Sequence, residues 1–519
     1  MRPAFWILNT LNRWLDESPV ITSHLRSLLN SRNGGDLQAF FQPAGVAVIG
    51  SLREVMGTAY GVIKNMRRFG FSGAIYPINP DPSKYGEVFG SKVYSNINEV
   101  AQLIDLAVVI TPPPTVPEIV EQCARKGVKA VIILSEGFAE SGKEGAALQI
   151  KLADTVRRTG VRIMGPNTFG VVNAANGLVT VPPYTDNDKI ERGGIAFCSQ
   201  TGSIGPHQVP LDDWAYPISK MCDLGNKCDV DEVDILNYLV DDPETKVVAV
   251  HTEDMRNGPG FMKAARRLVA HKPLVVLKAG RSEAGARATA SHTGSLMGSD
   301  QIYDAALRQV GAIRVDTWQE LWEVPRTLLY QPLPAGNRFA VVTFTGGQGA
   351  IAADAASAAG LAVTNFSSDT VRKLSMVFPR LGGNPVDIGP VMSDSRSQSS
   401  SNPFYALEQI IPLVLGDANV DCATITFSCG KQLVSLYPMV VDMLHRLTKD
   451  FSKTVNIWLY GTSLSAMQEM ARQLQARGLP AYFDLDIAIK SLGYAAYYSR
   501  AKSSLQDWEN SKRTIGNCN

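Results

Sequence analysis

The sequence reads VAVIG at residues 46–50, AIYPI at 74–78, LAVVI at 106–110 and AVIIL at 130–134. Each of these short apolar runs is separated from the next by a longer segment with helical spacing. Short β-branched runs that alternate with helices predict βαβ units. Because the runs are apolar at nearly every position, they are typical of strands buried on both faces, as parallel sheets require.

The same alternation continues along the 519 residues and predicts three α/β units, in keeping with about 150 residues per domain. The second unit has predicted strands at IAFCS (195–199), PISKM (217–221), KVVAV (246–250) and PLVVL (273–277), and a closing helix near 316–329. After the linker QPLPAGN (331–337), the third unit has predicted strands at FAVVT (339–343), CATITF (422–427) and VNIWLY (455–460). A polar loop is predicted at 392–403.

The second and third units each open with a strand and a related turn, FCSQTGSIG (197–205) and VTFTGGQG (342–349). This internal repeat suggests two copies of one flavodoxin-like unit, with a chance match as the alternative. We therefore predict a fold of the α/β class with parallel sheets. The predicted divisions are a helical extension (1–36), a Rossmann-like domain (37–175), two flavodoxin-like domains (176–333 and 334–503) and a polar tail (504–519).

Composition excludes several classes of protein. Lys and Arg number 50 and Asp and Glu 49, so the formal charge is +1, and nothing favours binding to nucleic acid or to a membrane surface. No segment has the roughly 20 apolar residues of a membrane span or the apolar core of a signal peptide. The seven cysteines lack a paired C-x-x-C pattern, which indicates free thiols and a cytoplasmic protein.

The first domain carries candidate ligand loops where its strands end. IGSLREVMGTAYG (49–61) has glycines spaced more widely than a dinucleotide fingerprint, yet a turn that opens a helix can bind a phosphate-bearing nucleotide. A glycine-rich turn without a ligand is the alternative. Further strand ends at Asn79, Thr111 and Ser135 should converge on the same crevice. No Walker A motif occurs, so the chain has no evident ATP site of its own.

A single histidine lies in KAGRSEAGARATASHTGSLMGSD (278–300), which we predict to be a long flexible loop. A neutral imidazole is a competent nucleophile towards phosphorus near pH 7. His292 is therefore a candidate phosphoryl acceptor, with an inert surface histidine as the alternative.

Two other features would support that chemistry. The turn SQTGSIG (199–205) is predicted to present backbone N–H groups of Thr201, Gly202 and Ser203 at a helix start, which would bind a phosphoryl group. Glu253 follows the strand KVVAV and could orient the imidazole, although a solvated loop acid is the alternative. His251, inside that strand run, is predicted to be a core or supporting residue.

These stretches occur together in an order that resembles the ADP-forming acetate–CoA ligases. The residues that carry the resemblance are GPNTFGVVN (165–173), SQTG (199–202), GNKCDVDEVDILNYLVDDPETK (225–246), SHTGSL (291–296) and NPVD (384–387). The resemblance covers residues 37–500. Succinyl-CoA synthetase is a more distant relative that shares the CoA domain, the phosphate-binding turn and the His loop.

The resemblance implies a reaction and a set of site residues. An acyl-CoA and phosphate would give an acyl phosphate, His292 would take the phosphoryl group, and phospho-His292 would pass it to ADP; the reverse direction makes the thioester. Glu253 matches the glutamate that hydrogen-bonds the phosphohistidine. The phosphate turn would use Ser199, Thr201, Gly202 and Ser203. Coenzyme A would be bound by Gly50, Ser51, Arg53, Asn79, Lys84, Thr111, Pro112, Pro113, Ser135, Glu136 and Gly137.

Two motifs depart from the family pattern. The turn after the first strand has SLREVMGTAYG in place of an Ala-Ser-Arg-x-Pro type run, and GPNTFG replaces GPNCLG, so that Thr168 stands where a cysteine is usual. These departures bear on the CoA contacts and on the shape of the acyl pocket.

Fused family members continue into an ATP-grasp domain. Since none follows here, we expect ATP or ADP with Mg²⁺ to be bound by a separate ATP-grasp subunit in a heterotetramer, and no metal site in this chain. The substrate would be a small carboxylic acid or its acyl-CoA. The alternatives are a CoA-sensing module of a protein acylation system and an NAD(P)-dependent oxidoreductase; the latter lacks its fingerprint.

Overall fold

A computed structural model describes residues 37–183, 189–208, 216–293, 299–392 and 404–516, and the side chains of 289–293 and 507–516 fall outside that description. The predicted extension 1–36 and residues 393–403 of the predicted polar loop lie outside the described residues. In the described part of the chain, no helix is long and apolar enough to cross a bilayer.

The first domain is a parallel sheet of five strands with helices between them. Its strands are β1 (Gly45–Gly50), β2 (Ala74–Ile78), β5 (Leu106–Ile110), β6 (Ala130–Ile133) and β7 (Arg162–Met164), with a small hairpin of β3 (Glu87–Val88) and β4 (Ser91–Lys92). Its helices are α1 (Gln38–Phe41), α2 (Ala59–Arg68), α3 (Val116–Lys126) and α4 (Lys143–Thr159). The strand order is β2-β1-β5-β6-β7, so the order reverses between β1 and β5.

The second domain has seven strands, five of them parallel. They are β8 (Val171–Asn173), β9 (Leu178–Val179), β10 (Arg192–Ser199), β11 (Ile218–Asp223), β12 (Val247–Thr252), β13 (Leu274–Lys278) and β14 (Ile313–Val315). The helices are α5 (Glu232–Asp241), α6 (Gly258–Val269), α7 (Glu283–Thr293), α8 (Asp300–Gln309) and α9 (Trp318–Tyr330). The order is β14-β13-β12-β10-β11-β8-β9. The hairpin β8–β9 joins this sheet antiparallel to β11, and the predicted boundary at 175/176 falls inside the hairpin.

The third domain repeats the same parallel arrangement. Its strands are β15 (Arg338–Thr343), β16 (Ala362–Val363), β17 (Val386–Asp387), β18 (Cys422–Ser428), β19 (Thr454–Tyr460) and β20 (Ala481–Tyr482). Its helices are α10 (Gly346–Ala358), α11 (Ser368–Val377), α12 (Gly389–Met392), α13 (Tyr405–Leu415), α14 (Tyr437–Thr448), α15 (Leu464–Ala476) and α16 (Leu485–Gly516). The order β16-β15-β18-β19-β20, with β17 beside β15, confirms the predicted α/β class with parallel sheets.

Two predicted segments have a different structure. The segment predicted as a flexible loop around His292 is helical over Glu283–Thr293 (α7). Ser282 accepts a hydrogen bond from the Gly285 N–H at 3.1 Å, and four alanines at alternate positions favour the helix, since alanine has the highest helix propensity. The predicted polar tail at 504–519 is helical as far as Gly516, as the end of α16.

Helix α16 joins the second and third domains, because it packs on α9 of one and on α10 and β19 of the other. Fully buried Asn456 on β19 donates to the Ala488 carbonyl in α16 at 2.8 Å and accepts from the Thr327 hydroxyl in α9 at 3.0 Å. The Tyr498 hydroxyl donates to the Val269 carbonyl at 3.0 Å. These buried contacts fix the third domain against the second.

We predict that Asn456→Ala destabilises the protein, because it removes two buried hydrogen bonds that join α9, β19 and α16, each of which contributes about 0.5–1.5 kcal/mol. A thermal or urea unfolding curve measures the loss. Asn337→Ala is the matched control: Asn337 also donates to one carbonyl, that of Gly360 at 3.0 Å, but at an exposed position, and its loss should stay within about 0.5 kcal/mol. Equal losses in the two variants would contradict the prediction.

Candidate functional site

The loops predicted to bind coenzyme A meet at one edge of the first sheet. Ile49 pairs with Ile78, Gly50 with Ile110, and Val109 with Ile133, so the carboxyl ends of four strands are adjacent. Side chains then connect the loops. The Asn79 amide donates to the Gly50 carbonyl at 2.8 Å, and the Ser135 hydroxyl accepts from the Thr111 N–H at 3.0 Å while donating to the Thr111 carbonyl at 2.6 Å. The crevice is therefore formed on the side where open α/β sheets bind ligands.

The other predicted CoA residues border this crevice. Arg53, Lys84, Pro112 and Glu136 are exposed, whereas Ser51, Pro113 and Gly137 are half-buried. Lys84 lies in a separate 3₁₀ turn with its ammonium 5.8 Å from the Tyr85 ring centroid, and it takes no part in the described hydrogen bonds between the strand ends. Arg53 and Lys84 thus place two positive charges at the solvent-exposed surface of these loops.

A carboxylate of the protein already occupies part of the Gly137 loop. Glu140 accepts hydrogen bonds from the backbone N–H groups of Gly137 at 2.6 Å and Phe138 at 3.0 Å, and its second oxygen accepts from Asn226 of the second domain. Burial raises the pKa of Glu140, but the hydrogen bonds from Asn226, Phe138 and Gly137 outweigh burial and lower it overall. Glu140 thus stays ionised and ties the Gly137 loop to the second domain.

The phosphate turn lies at the corresponding edge of the second sheet, after β10. The Thr201 N–H donates to the Ser199 hydroxyl at 3.0 Å, and the hydroxyls of Thr201 and Ser203 are 3.1 Å apart. The predicted helix start is a 3₁₀ turn, Gly202–Ile204, followed by a second one that begins at Pro206. Since proline has no N–H to continue a helical ladder, the first turn ends there.

The motif GPNTFG covers this turn. A Cβ on Gly202 would lie 1.9 Å from Cδ2 of Phe169, so only glycine allows the aromatic ring to pack on the turn. Phe169 also packs against the His207 ring, with the ring centroids 4.6 Å apart and the planes tilted by 30°. Thr168 is buried, and its hydroxyl donates to the Asp223 carbonyl and accepts from the Gly170 N–H at 2.9 Å, so this departure from the family pattern is a hydrogen-bonded structural residue.

Glu253 directly follows β12 and is 7% exposed. The alternative interpretation of a solvated loop acid is therefore wrong. The carboxylate of Glu253 lies near Asp223, at the end of β11. Burial, with a smaller contribution from the charge of Glu253, raises the pKa of Asp223 to about 6. Ser199 and Asp223 are paired in register, so the phosphate turn, Asp223 and Glu253 share one edge of the sheet.

A buried network behind this edge was not predicted from the sequence. Lys227 is 4% exposed, and its ammonium donates to the Gln200 side-chain oxygen at 2.9 Å, to Glu232 at 2.8 Å and to the Asp254 carbonyl at 2.8 Å. Arg256 donates to Asp254 at 3.0 Å. The concentration of acids around one lysine in GNKCDVDEVD (225–234) is the sequence signal that could have identified a buried ion pair.

Lys278, at the end of β13, was likewise not predicted. Its pairing with Thr252 places it beside the turn that carries Glu253. Its ammonium donates to the Ala279 carbonyl and lies 4.6 Å from the Tyr303 ring centroid. Burial lowers the pKa of Lys278 to about 8. Within the described ranges, no three or more His, Cys, Asp or Glu side chains are grouped so as to hold a metal ion.

His292 lies in the last turn of α7, and its side chain is outside the described residues. Helix α7 follows β13, and it lies against the 3₁₀ turn Ala139–Ser141 of the first domain. The backbone therefore carries His292 on a helix that borders the turn directly after the Gly137 loop.

Sequence comparisons identify two matching families and a close relative. The family described as a CoA binding domain matches residues 45–174, and the family described as a succinyl-CoA ligase like flavodoxin domain matches residues 192–328. The chain is 33% identical to the acetate–CoA ligase (ADP-forming) I subunit alpha of Pyrococcus furiosus over 475 residues, which are 90% of this chain and 98% of that subunit. The chain belongs to the ADP-forming acetate–CoA ligase family.

Other members of the family give the same result. Acetate–CoA ligase (ADP-forming) II of Archaeoglobus fulgidus is 33% identical over 472 residues, and the match covers 90% of this chain and 68% of that relative. The dinucleotide-forming acetyl-coenzyme A synthetase 1 of Ca. Korarchaeum cryptofilum, solved in complex with phosphate and ADP, has a TM-score of 0.80 at 28% identity, covering 91% of this chain and 98% of that chain. The family resemblance read from the sequence is confirmed.

We predict that His251 contributes to the pH dependence of stability. Burial, with the positive charges of Lys227 and Lys278, lowers its pKa to about 4, and among the described residues its Nδ1 has no hydrogen-bond partner. The unfolded chain takes up this proton near pH 6.5 but the folded chain does not, so the contribution is complete above pH 6.5 and is lost as pH falls towards 4. His251→Phe should lose less stability than wild type between pH 7 and pH 5, by up to about 1.4 kcal/mol per pH unit. Parallel unfolding profiles would contradict this.

Proposed function

We propose that this chain is the CoA-binding, phosphohistidine-forming part of an ADP-forming acyl-CoA synthetase. The observation that carries the proposal is the position of helix α7, which bears His292, between the two candidate crevices. The helix lies beside the Ala139–Ser141 turn of the CoA-binding domain, and it follows β13 of the sheet that holds the phosphate turn and Glu253. Acyl transfer and phosphoryl transfer can thus take place in neighbouring crevices.

The reaction has three steps. An oxygen of phosphate attacks the thioester carbonyl of the acyl-CoA, and the CoA thiolate leaves, which gives an acyl phosphate. A ring nitrogen of His292 then attacks phosphorus, and the carboxylate leaves. Finally, the terminal oxygen of ADP attacks the phosphohistidine, which restores the imidazole and gives ATP. Run in reverse, the steps make the thioester from acid, CoA and ATP.

The residues of the two edges have distinct roles in this scheme. The hydroxyls of Ser199, Thr201 and Ser203 and the N–H of Gly202 would bind the phosphoryl group. Glu253 would accept a hydrogen bond from the imidazole, fix its tautomer and stabilise its cationic form. Coenzyme A would lie along the strand ends of the first sheet, with its phosphates near Arg53 and Lys84 and the loops at Asn79, Thr111 to Pro113 and Ser135 to Gly137.

Nucleotide binding would come from a second subunit. Two relatives in Pyrococcus furiosus that match most of this chain are named as alpha subunits, which supports a separate partner. We propose that the partner is an ATP-grasp chain, that it binds ADP or ATP with Mg²⁺, and that two copies of each chain form a heterotetramer. The substrate would be a small carboxylic acid. The alternative of a CoA-sensing regulatory module receives no support from the relatives reported above.

The first prediction of this proposal is that the chain alone binds CoA without binding ADP. Titration calorimetry of the full chain should show heat for CoA and none for ADP. Arg53→Ala should weaken CoA binding, since it removes an exposed cation from the crevice, and Lys129→Ala, an exposed lysine whose ion pair with Asp105 is 3.6 Å long, serves as the matched control. Tight ADP binding to the chain alone would refute the two-subunit arrangement.

A second prediction separates His292 from Glu253. With the partner subunit and radiolabelled ATP, His292→Asn should take up no phosphate while still binding CoA, because it lacks the nucleophilic nitrogen. Glu253→Gln keeps an acceptor but removes the charge, so phosphorylation should slow by about 10- to 100-fold, which corresponds to a charge-assisted hydrogen bond of about 1.5–3 kcal/mol. An acid-labile phosphate on the His292→Asn protein would exclude His292 as the acceptor. An unchanged rate in Glu253→Gln would remove Glu253 from the mechanism.

A further inference from the structure

The side chain of Gln200 connects two turns at the edge of the second sheet. Gln200 lies inside the phosphate turn, between Ser199 and Thr201. Its oxygen accepts from the backbone N–H of Glu253 at 2.8 Å and of Asp254 at 3.3 Å, and its amide nitrogen donates to the Asp254 carboxylate at 3.0 Å. The last contact requires the nitrogen to face Asp254, which fixes the orientation of the amide.

The backbone pairing between β10 and β12 ends before it reaches Glu253. Strands β10 and β12 pair up to Cys198 and Val250, and the N–H of Gln200 then donates to the His251 carbonyl at 3.1 Å. Beyond that point, the side chain of Gln200 continues the connection to the backbone of Glu253. Gln200 therefore links the phosphate turn directly to the backbone of Glu253.

Lys227 holds Gln200 in place. Its ammonium donates to the same Gln200 oxygen at 2.9 Å, and it lies 2.5 Å from the Asp254 carboxylate and 2.8 Å from Glu232. An ammonium has three protons, and these acceptors surround it on the buried side of the two turns. The Gln200 oxygen is thus enclosed by the ammonium and the two backbone N–H groups.

We infer that Gln200 and Lys227 are positioning residues, which hold Glu253 at a fixed place relative to the phosphate turn. The inference rests on the role proposed above for Glu253. A group that assists phosphoryl transfer has to stay within a fraction of an ångström of its productive place, so loosening its backbone costs rate even though neither residue contacts the reacting atoms.

The test uses Gln200→Met and Lys227→Met, which keep a long side chain and remove the hydrogen bonds. Since both residues act through Glu253, each variant should slow phosphorylation of the assembled enzyme by no more than Glu253→Gln does, about 10- to 100-fold, with CoA affinity unchanged. If Lys227→Met fails to fold because Glu232 and Asp254 lose their counter-ion, Gln200→Met carries the test, since it removes no charge.

Lys220→Met is the matched control. Lys220 is also a buried lysine of this sheet, at 1% exposure, and it also pairs with two acids, Asp242 at 2.9 Å and Glu244 at 2.7 Å. Asp242 and Glu244 precede β12, whereas Glu253 follows it. The ion pairs of Lys220 therefore lie towards the edge of the sheet opposite to the phosphate turn. Lys220→Met should lower the thermal midpoint as Lys227→Met does, yet leave phosphorylation unchanged. Equal slowing in the Lys220 and Lys227 variants would refute a positioning role.

The decisive measurement is a double-mutant cycle with Glu253→Gln. In that background, Gln200→Met and Lys227→Met should cause no further slowing, because the group that they position is already disabled. Slowing that multiplies with that of Glu253→Gln would overturn the inference and leave the proposed role of Glu253 intact. An unchanged rate in Glu253→Gln alone would overturn the role of Glu253, and this inference with it.

Discussion

A charge buried in a protein has to be compensated by partners, and Lys227 imposes this requirement on the edge of the second sheet. Burial lowers its pKa, but Glu232 and Asp254 outweigh burial and raise it overall, so the side chain stays protonated. Removing an ammonium from water costs several kcal/mol, which only well-placed partners recover. The start of α5, the turn after β12 and the turn after β10 therefore have to converge on one atom. The arrangement of the candidate phosphoryl site follows from that convergence.

The backbone conformations around Lys227 are explained by the same constraint. Lys227 (φ 51°) and Asn167 (φ 58°) both adopt left-handed conformations, which non-glycine residues adopt only where the surroundings require it. Between them, Gly225 approaches so closely that a Cβ there would lie 2.3 Å from the Pro166 carbonyl. The motifs GPNTFG and GNKCD thus form two turns that pack directly against each other. Arg162 forms ion pairs with two acids of the second segment, Asp229 at 2.9 Å and Asp234 at 3.0 Å.

The sequence was sufficient for the parts of the structure that depend on local pattern. The predicted strand runs form strands, because short runs of consecutive apolar, β-branched residues are typical of strands buried on both faces of a parallel sheet. The position of Glu253 directly after a strand, at the edge where ligands bind in such sheets, was predicted correctly because that rule needs no coordinates. Helix α7 was mispredicted because its glycine and its alanines were both interpreted as signs of flexibility, whereas alanine favours a helix. Lys227 and Gln200 were missed for a different reason: whether a lysine is buried depends on contacts with residues such as Asp254, 27 positions away along the chain, which no local pattern encodes.

Hydrogen bonds connect the candidate crevice of the CoA-binding domain to the candidate phosphoryl site of the second domain. Asn226, the neighbour of Lys227, donates to Glu140 and to Gln149 at 3.0 Å. Glu140 in turn accepts hydrogen bonds from the N–H groups of Gly137 and Phe138 in the Gly137 loop, which is proposed to bind coenzyme A. A ligand phosphate that needs those two donors has to displace the Glu140 carboxylate, which would also release Asn226 beside the buried lysine. A ligand that uses other donors of the crevice leaves the whole chain of contacts intact. The loop proposed to receive coenzyme A is therefore connected to the turn that carries Glu253 through the side chains of Glu140 and Asn226, the adjacent residue Lys227 and the side chain of Gln200.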